Sequence, residues 1–80
     1  MDQNIKAIAA AYMASAEAGE RFLKHTNPED MQENATQFVK ADEMFRDLNT
    51  DQAPELLGLR NAVAQGNFAD ARARYQEITK

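Results

Sequence analysis

Cysteine and tryptophan are missing from this 80-residue sequence, which also has only two prolines, three glycines and one histidine. Without cysteine, the chain can form neither a disulfide nor a thiolate zinc site. Eighty residues are enough for one domain, 1–80, but a domain of this size buries only about 60% of the surface that its unfolded chain exposes. We therefore expect self-association or docking on a partner protein to add stability.

The sequence also lacks a concentration of charge of either sign. Its net charge is −4, with six acidic and four basic residues in positions 1–40 and seven and five in positions 41–80. A nucleic-acid interface needs a basic face, and a mimic of nucleic acid needs far stronger acidity than this. The pattern is typical of an interspersed surface charge that keeps a protein in solution.

No long hydrophobic run is present. In the first twenty residues the apolar positions are interrupted by Lys6, Ser15 and Glu17, so this segment cannot cross a bilayer. It also lacks the basic start and the continuous apolar stretch of a secretory signal. The sequence predicts a cytoplasmic protein without membrane contact, with an export signal removed by processing as the alternative.

Residues suited to catalysis and metal binding are scarce as well. His25 is the only histidine, and Glu20 lies five residues before it, so the Glu-x-x-His pattern of di-iron bundles does not occur. Ser15 is the only serine, and in an alanine-rich helix we expect it to bond to its own backbone or to a facing helix. The glycines are isolated, so there is no phosphate-binding loop. The sequence therefore predicts no enzyme, no catalytic residue, no metal and no cofactor.

The composition that is present favours helices. Ala, Glu, Gln, Arg and Lys dominate, while the β-branched residues typical of strands are sparse. Three breaks in the pattern predict four helices, at 3–24, 28–48, 52–65 and 68–79. The residues predicted to cap the helix N-termini are Asp2, Asn27, Asp51 or Thr50, and Asn67.

The residues at these breaks also predict how the helices connect. Asn27 followed by Pro28 is a start signal, since proline has no amide to leave unbonded in the first turn. Gly66 is placed to end the third helix in the left-handed conformation, and Asn67 to cap the fourth, with Asp70 in the capping-box position. A corner of only two residues makes two helices antiparallel. We predict a small all-α four-helix domain whose last two helices form a tight antiparallel hairpin.

Apolar residues recur three and four positions apart in each predicted helix, which indicates one buried face per helix. In the second helix this face begins at Met31. In the first helix it includes Gly19, which costs up to about 1 kcal/mol of helix propensity, so we expect a neighbouring helix to approach closely there. The residues predicted to form the main core are Ile8, Tyr12, Phe22, Phe38, Phe45, Leu59, Phe68, Ala71 and Tyr75.

Residues 54–78 carry a regular spacing around the turn glycine. An aromatic residue follows Gly66 by two positions, an alanine by five and a second aromatic by nine, and a Leu57-Gly58 pair lies in the preceding helix. This spacing resembles the helical hairpin of the tetratricopeptide-repeat family, which implies a peptide-binding scaffold. The segment departs from that family in three ways: one extra residue lies between its two glycines, Pro54 replaces a bulky aromatic residue, and no second copy precedes it.

Several apolar residues fall outside the regular stripes. One interpretation is that they only widen the buried face of each helix. The other is that they form an exposed patch on the first two helices, which requires a protein partner or a second copy of the chain. The residues we predict to bind a partner on this patch are Met13, Leu23, Val39 and Met44.

Together these features predict a small non-enzymatic protein-binding module that docks on a larger protein as an adaptor, a chaperone-like subunit or an inhibitor. The alternative is an acidic helix-turn-helix regulator acting at nucleic acid, with Arg72 and Arg74 on its second helix. These arginines lie about 200° apart around a helix, so both cannot readily face one groove. Asp70 and Glu77 also oppose phosphate approach. An enzyme subunit is the third possibility.

Overall fold

The computed structural model describes residues 3–48 and 53–80, and within these ranges it contains four α-helices and no strand. The helices are α1 (Gln3–His25), α2 (Pro28–Arg46), α3 (Pro54–Ala64) and α4 (Phe68–Ile78). The all-α prediction is confirmed. No helix among the described residues combines the length and apolar character needed to cross a membrane.

The corner between α1 and α2 forms as its sequence predicts. The side chain of Asn27 accepts a hydrogen bond from the Glu29 amide at 3.0 Å, and Pro28 is the first residue of α2. The preceding residue, Thr26, has a φ of 49°, and its amide donates to the carbonyl of Phe22 at 2.7 Å. A β-branched residue is strained in this left-handed conformation, so Thr26 ends α1 at an energetic cost.

The corner between α3 and α4 has three residues, 65–67, one more than predicted, because α3 ends at Ala64. Gly66 has a φ of 74°, the left-handed conformation that glycine adopts without strain. Asn67 accepts from the Asp70 amide at 3.3 Å and so caps α4. The Asp70 carboxylate pairs with Arg74 at 3.0 Å. The two helices pack against each other as the predicted antiparallel hairpin.

The other predicted boundaries differ by a few residues. α2 ends at Arg46 and not at residue 48, because the Leu48 amide bonds to the Phe45 carbonyl, only three residues back, at 3.0 Å. α3 begins at Pro54, after Ala53, whose side chain makes no capping bond. The predicted caps Asp2, Thr50 and Asp51 lie outside the described residues, as does the predicted helix start at residue 52.

α1 is the centre of the packing. It packs extensively against each of the other three helices, and α3 packs against α4, whereas α2 has little direct packing against α3 or α4. Of the predicted core, five residues are buried and confirmed: Ile8, Tyr12, Phe45, Leu59 and Ala71. The remaining four are only half-buried: Phe22, Phe38, Phe68 and Tyr75. The interior also contains Met13, Leu56, Val63 and Ile78.

Gly19 lies at a close contact between α1 and its neighbouring helices. A Cβ atom at Gly19 would lie 2.8 Å from Nδ2 of Asn34 on α2 and 3.1 Å from Cζ of Phe68 on α4. The predicted close approach at Gly19 is therefore confirmed, and side chains from two helices make it.

Ser15 is fully buried one turn before Gly19, and it bonds to a facing helix. Its hydroxyl donates to the Asn34 carbonyl at 2.8 Å, while Asn34 Nδ2 donates to the Ser15 carbonyl at 2.6 Å and to the Ser15 hydroxyl at 3.1 Å. Of the two expectations for Ser15, the facing helix is the correct one.

Candidate functional site

A groove runs between α2 and α3, because both helices pack on α1 and hardly on each other. Three cavities follow it, and we call them together the α2–α3 groove. The first, of about 310 Å³, lies beside Leu23, Met31 and Phe68. The middle one, of about 320 Å³, is lined by Asn34, Ala35, Phe38, Val39, Val63 and Ala64. The far one, of about 250 Å³, is lined by Asp42, Phe45, Arg46, Leu57 and Arg60.

The first and middle cavities are continuous with each other. Asn34, Val63 and Ala64 line both of them. The far cavity follows one turn further along each helix, since Asp42 comes after Phe38 on α2 and Arg60 precedes Ala64 on α3. The groove therefore extends along most of α2.

The exposed large apolar side chains of the described residues all lie along this groove. Leu23 is 68% exposed, Val39 55%, Met31 54% and Leu57 48%. Leu23 and Met31 line the first cavity, Val39 the middle one and Leu57 the far one. Scattered exposed apolar residues are normal on a protein surface, but a contiguous set in a concave site is typical of an interaction surface.

The side wall between the middle and far cavities is a polar network around Asp42. Tyr12 donates its hydroxyl proton to Asp42 Oδ1, and Arg60 donates from Nε to the same oxygen at 2.9 Å and from Nη2 to Oδ2 at 3.3 Å. The Arg60 guanidinium lies 5.3 Å from the centre of the Phe38 ring. The ring of Phe38 meets that of Tyr12 edge to face at 5.6 Å. This network connects α1, α2 and α3.

The same contacts shift the protonation of the groups involved. Burial, together with the hydrogen bond to Asp42, raises the pKa of Tyr12 far above its ordinary value of 10.0. Burial opposes ionisation of Asp42, but the hydrogen bonds from Arg60 and Tyr12 outweigh it and hold its pKa below the ordinary 3.8. The hydrogen bond to Asp42 raises the pKa of Arg60. At neutral pH the network therefore consists of a neutral phenol, a carboxylate and a guanidinium.

The structure separates the four residues that the sequence predicts to bind a partner. Leu23 and Val39 are exposed and line the groove. The prediction for Met13 is wrong, because this side chain is only 6% exposed and belongs to the core. α1 is covered on two sides, by α2 and by the α3–α4 hairpin, so a residue beside its main stripe is buried as well.

Met44 is half-buried against the core and does not line the groove. It borders a separate cavity of about 260 Å³ with Asn4, Ile8, Asp47 and Leu48. The four predicted residues therefore do not form one patch. The prediction placed the patch on the first two helices, but the groove also includes Leu57, Val63 and Ala64 of α3.

The prediction that Met31 lies on the buried face of α2 is wrong, because its side chain is 54% exposed. It shares its face with Ala35 and Phe38, and only the later part of that face, from Ala41 to Phe45, is buried. The reason is that no helix other than α1 packs extensively against α2. The apolar residues of α2 have the same helical spacing in the buried part of this face and in the exposed part. The spacing of Met31 therefore does not indicate that its side chain is exposed.

The arginines of the helix-turn-helix alternative are engaged with acidic partners. Arg72 Nη2 lies 2.7 Å from both carboxylate oxygens of Glu20, and Arg74 Nε lies 3.0 Å from Asp70. These pairs are partly exposed, so each contributes little to stability. They do oppose the approach of a phosphate to either guanidinium.

Within residues 3–48 and 53–80 there is no group of three or more His, Asp or Glu side chains placed to hold a metal ion. Comparison of the chain with family models, with curated proteins and with solved structures gives no match.

Proposed function

We propose that this chain is a small cytoplasmic, non-enzymatic protein-binding module, and that its α2–α3 groove receives an amphipathic helix of a larger protein. The observation that carries the proposal is the placement of Leu23, Met31, Val39 and Leu57 along one groove. Apolar surface of this kind gains free energy when a partner removes it from water, at about 25 cal/mol per Å². The role agrees with an adaptor, a chaperone-like subunit or an inhibitor.

A helix is the partner element that suits this groove. Met31, Ala35 and Val39 are spaced four residues apart, so they form a ridge along α2. Leu57 and Ala64 line the groove from α3, on the opposite side. Two helices that pack on a third and leave a gap between them accept a further helix by the same interdigitation of side chains. The spacing in residues 54–78 that resembles a tetratricopeptide-repeat hairpin agrees with such a role, as a resemblance only.

Photo-crosslinking from single positions tests the proposal. A photoreactive phenylalanine analogue is introduced at Val39 or, as a matched control, at Ala73, which is exposed on α4 and lines none of the three cavities. Position 39 should give discrete adducts in cells, and peptide mapping should place them on one helical segment of one partner. Adducts that are equally frequent from position 73, or no adducts from position 39, would contradict the proposal.

A substitution supplies the second arm of the test. Val39→Asp should remove the adducts formed from a probe at Met31, because a carboxylate buried against apolar side chains is costly. The matched variant Ala73→Asp should leave those adducts unchanged. Circular dichroism of both variants should show the helix content of the wild type, since both positions are exposed.

A further inference from the structure

The lining of the first and middle cavities of the groove has an unusual composition for this chain. Charged residues make up 28% of the sequence. Among the described residues that line the first and middle cavities, none is charged. The charged side chains begin only in the far cavity, at Asp42, Arg46 and Arg60. Depletion of charge in a concave apolar region is characteristic of the centre of a protein–protein interface.

Two polar side chains line this uncharged part of the groove, Asn34 and Gln65. Asn34 lines both the first and the middle cavity, at the place where they join. Its Nδ2 donates to Ser15, which fixes the orientation of the amide, while its Oδ1 accepts no hydrogen bond from a described residue. A partner that covers Oδ1 without donating to it would leave a desolvated acceptor, which is unfavourable.

The two cavities follow one another along α2. Met31 borders the first and Phe38 the middle one, and these residues are seven positions apart on one face of α2. Seven helical residues cover about 10.5 Å. A helix lying alongside α2 would therefore place residues i and i+7 at the two cavities, and residue i+3 or i+4 opposite Asn34.

We infer that the first and middle cavities of the groove receive a helix of a partner protein whose face toward these two cavities is uncharged. It carries large apolar side chains at i and i+7, with a hydrogen-bond donor such as Asn, Gln, Ser or Thr between them, opposite Asn34 Oδ1. This inference rests on the proposed function and adds the chemistry of the partner. Lysine or glutamate on the contact face would lose its hydration without gaining a counter-charge, and would therefore weaken binding. Because the contact is uncharged, affinity depends little on ionic strength.

A set of labelled helical peptides of about 18 residues, or about 27 Å, tests the inference by fluorescence anisotropy. All peptides carry leucine at positions i and i+7. They differ either at the position between these leucines, opposite Asn34, or at the contact-face position next to it. The peptide with Gln opposite Asn34 should bind about 3- to 10-fold more tightly than the same peptide with Ala, the effect of one net hydrogen bond. Peptides with Lys or with Glu on the contact face should both bind at least about tenfold more weakly. The Kd of the Gln peptide should change less than about twofold between 50 and 500 mM NaCl.

Controls on the protein distinguish the inference from the proposed function. Val39→Asp should abolish binding of the Gln peptide, and Ala73→Asp should not.

Tighter binding of the Lys or Glu peptide, with strong salt dependence, would overturn the uncharged contact face while leaving helix docking intact. Equal affinity of the Gln and Ala peptides would show that the partner donates no hydrogen bond to Asn34 Oδ1. If light scattering shows a dimer and Val39→Asp dissociates it, the occupant of the groove is a second copy of this chain and not a partner helix. No peptide binding, together with no adducts from position 39, would overturn the proposed function itself.

Discussion

α1 and α2 have similar lengths, 23 and 19 residues, but their surroundings differ. α1 packs against three helices, so it buries residues around much of its circumference, including Met13. α2 packs extensively only against α1, and just two of its residues, Ala41 and Phe45, are buried. The difference shows that an apolar stripe on α1 maintains the fold, whereas part of the stripe on α2 is left uncovered.

The largest expected effect comes from replacing each of the two phenylalanines of α2 with alanine, one at a time. Phe45→Ala should lower the free energy of unfolding by about 3–5 kcal/mol, because Phe45 is only 5% exposed and its removal leaves a cavity. Phe38→Ala should cost less than half as much, because Phe38 is half-buried at the groove. Urea unfolding followed by circular dichroism measures both. Equal losses would show that α2 is covered along its whole length.

The polar network between α1, α2 and α3 gives the next effect. Asp42→Asn removes the charge that Arg60 and Tyr12 share and should cost about 1–2 kcal/mol, a charged hydrogen-bond value reduced for partial exposure. The matched variant Asp70→Asn breaks the exposed pair with Arg74 and should cost no more than about 0.5 kcal/mol. If Asp42→Asn lowered the free energy of unfolding by as little as Asp70→Asn, the network would not hold the three helices together.

The same carboxylate predicts a pH dependence of stability. The pKa of Asp42 is lower in the folded chain than its ordinary value of 3.8, so its contribution is present above that pH and is lost as the pH falls through the folded pKa. The pKa of Tyr12 is raised, so its contribution is complete below pH 10.0 and declines as the pH rises above that value. The stability difference between the wild type and Asp42→Asn should therefore shrink in acid. A difference that is constant down to strongly acidic pH would contradict this.

The corner that joins the two helices allows a stabilising change. Thr26→Gly should raise the free energy of unfolding by about 0.5 kcal/mol, since glycine removes the strain of a positive φ but loses more entropy on folding. Thr36→Gly, an exposed change inside α2, should instead destabilise by a similar amount. Thermal unfolding of the pair should show opposite shifts. A decrease for both would show that Thr26 is not strained.

The smallest expected effect belongs to the open side of α2. Val39→Ser should change the free energy of unfolding by no more than about 0.5 kcal/mol, because Val39 is 55% exposed. Val63→Ser, on the opposite wall of the middle cavity, should cost about 2 kcal/mol because Val63 is only 6% exposed. A large loss from Val39→Ser would place that residue in the core.

The helices were predictable because local residues determine them. Asn27 and Asn67 bond to amides of the next turn, and Gly66 has the φ that its position requires, so each signal depends on neighbours a few residues away. The groove was less predictable. Whether Met13 or Met31 is covered depends on where α3 packs, and the spacing of apolar residues within one helix contains no information about that.

The reciprocal hydrogen bonds between Ser15 and Asn34 also fix the geometry of the α2–α3 groove. Sliding α2 along α1 by one turn, about 5.4 Å, would bring Asp30 or Phe38 opposite the buried Ser15 hydroxyl and break all three bonds. α2 therefore has one axial position, and the two cavities and the acceptor between them keep their spacing before any partner arrives. The groove is preorganised, so the helix that we propose to dock there would lose its own conformational entropy without also having to order the groove.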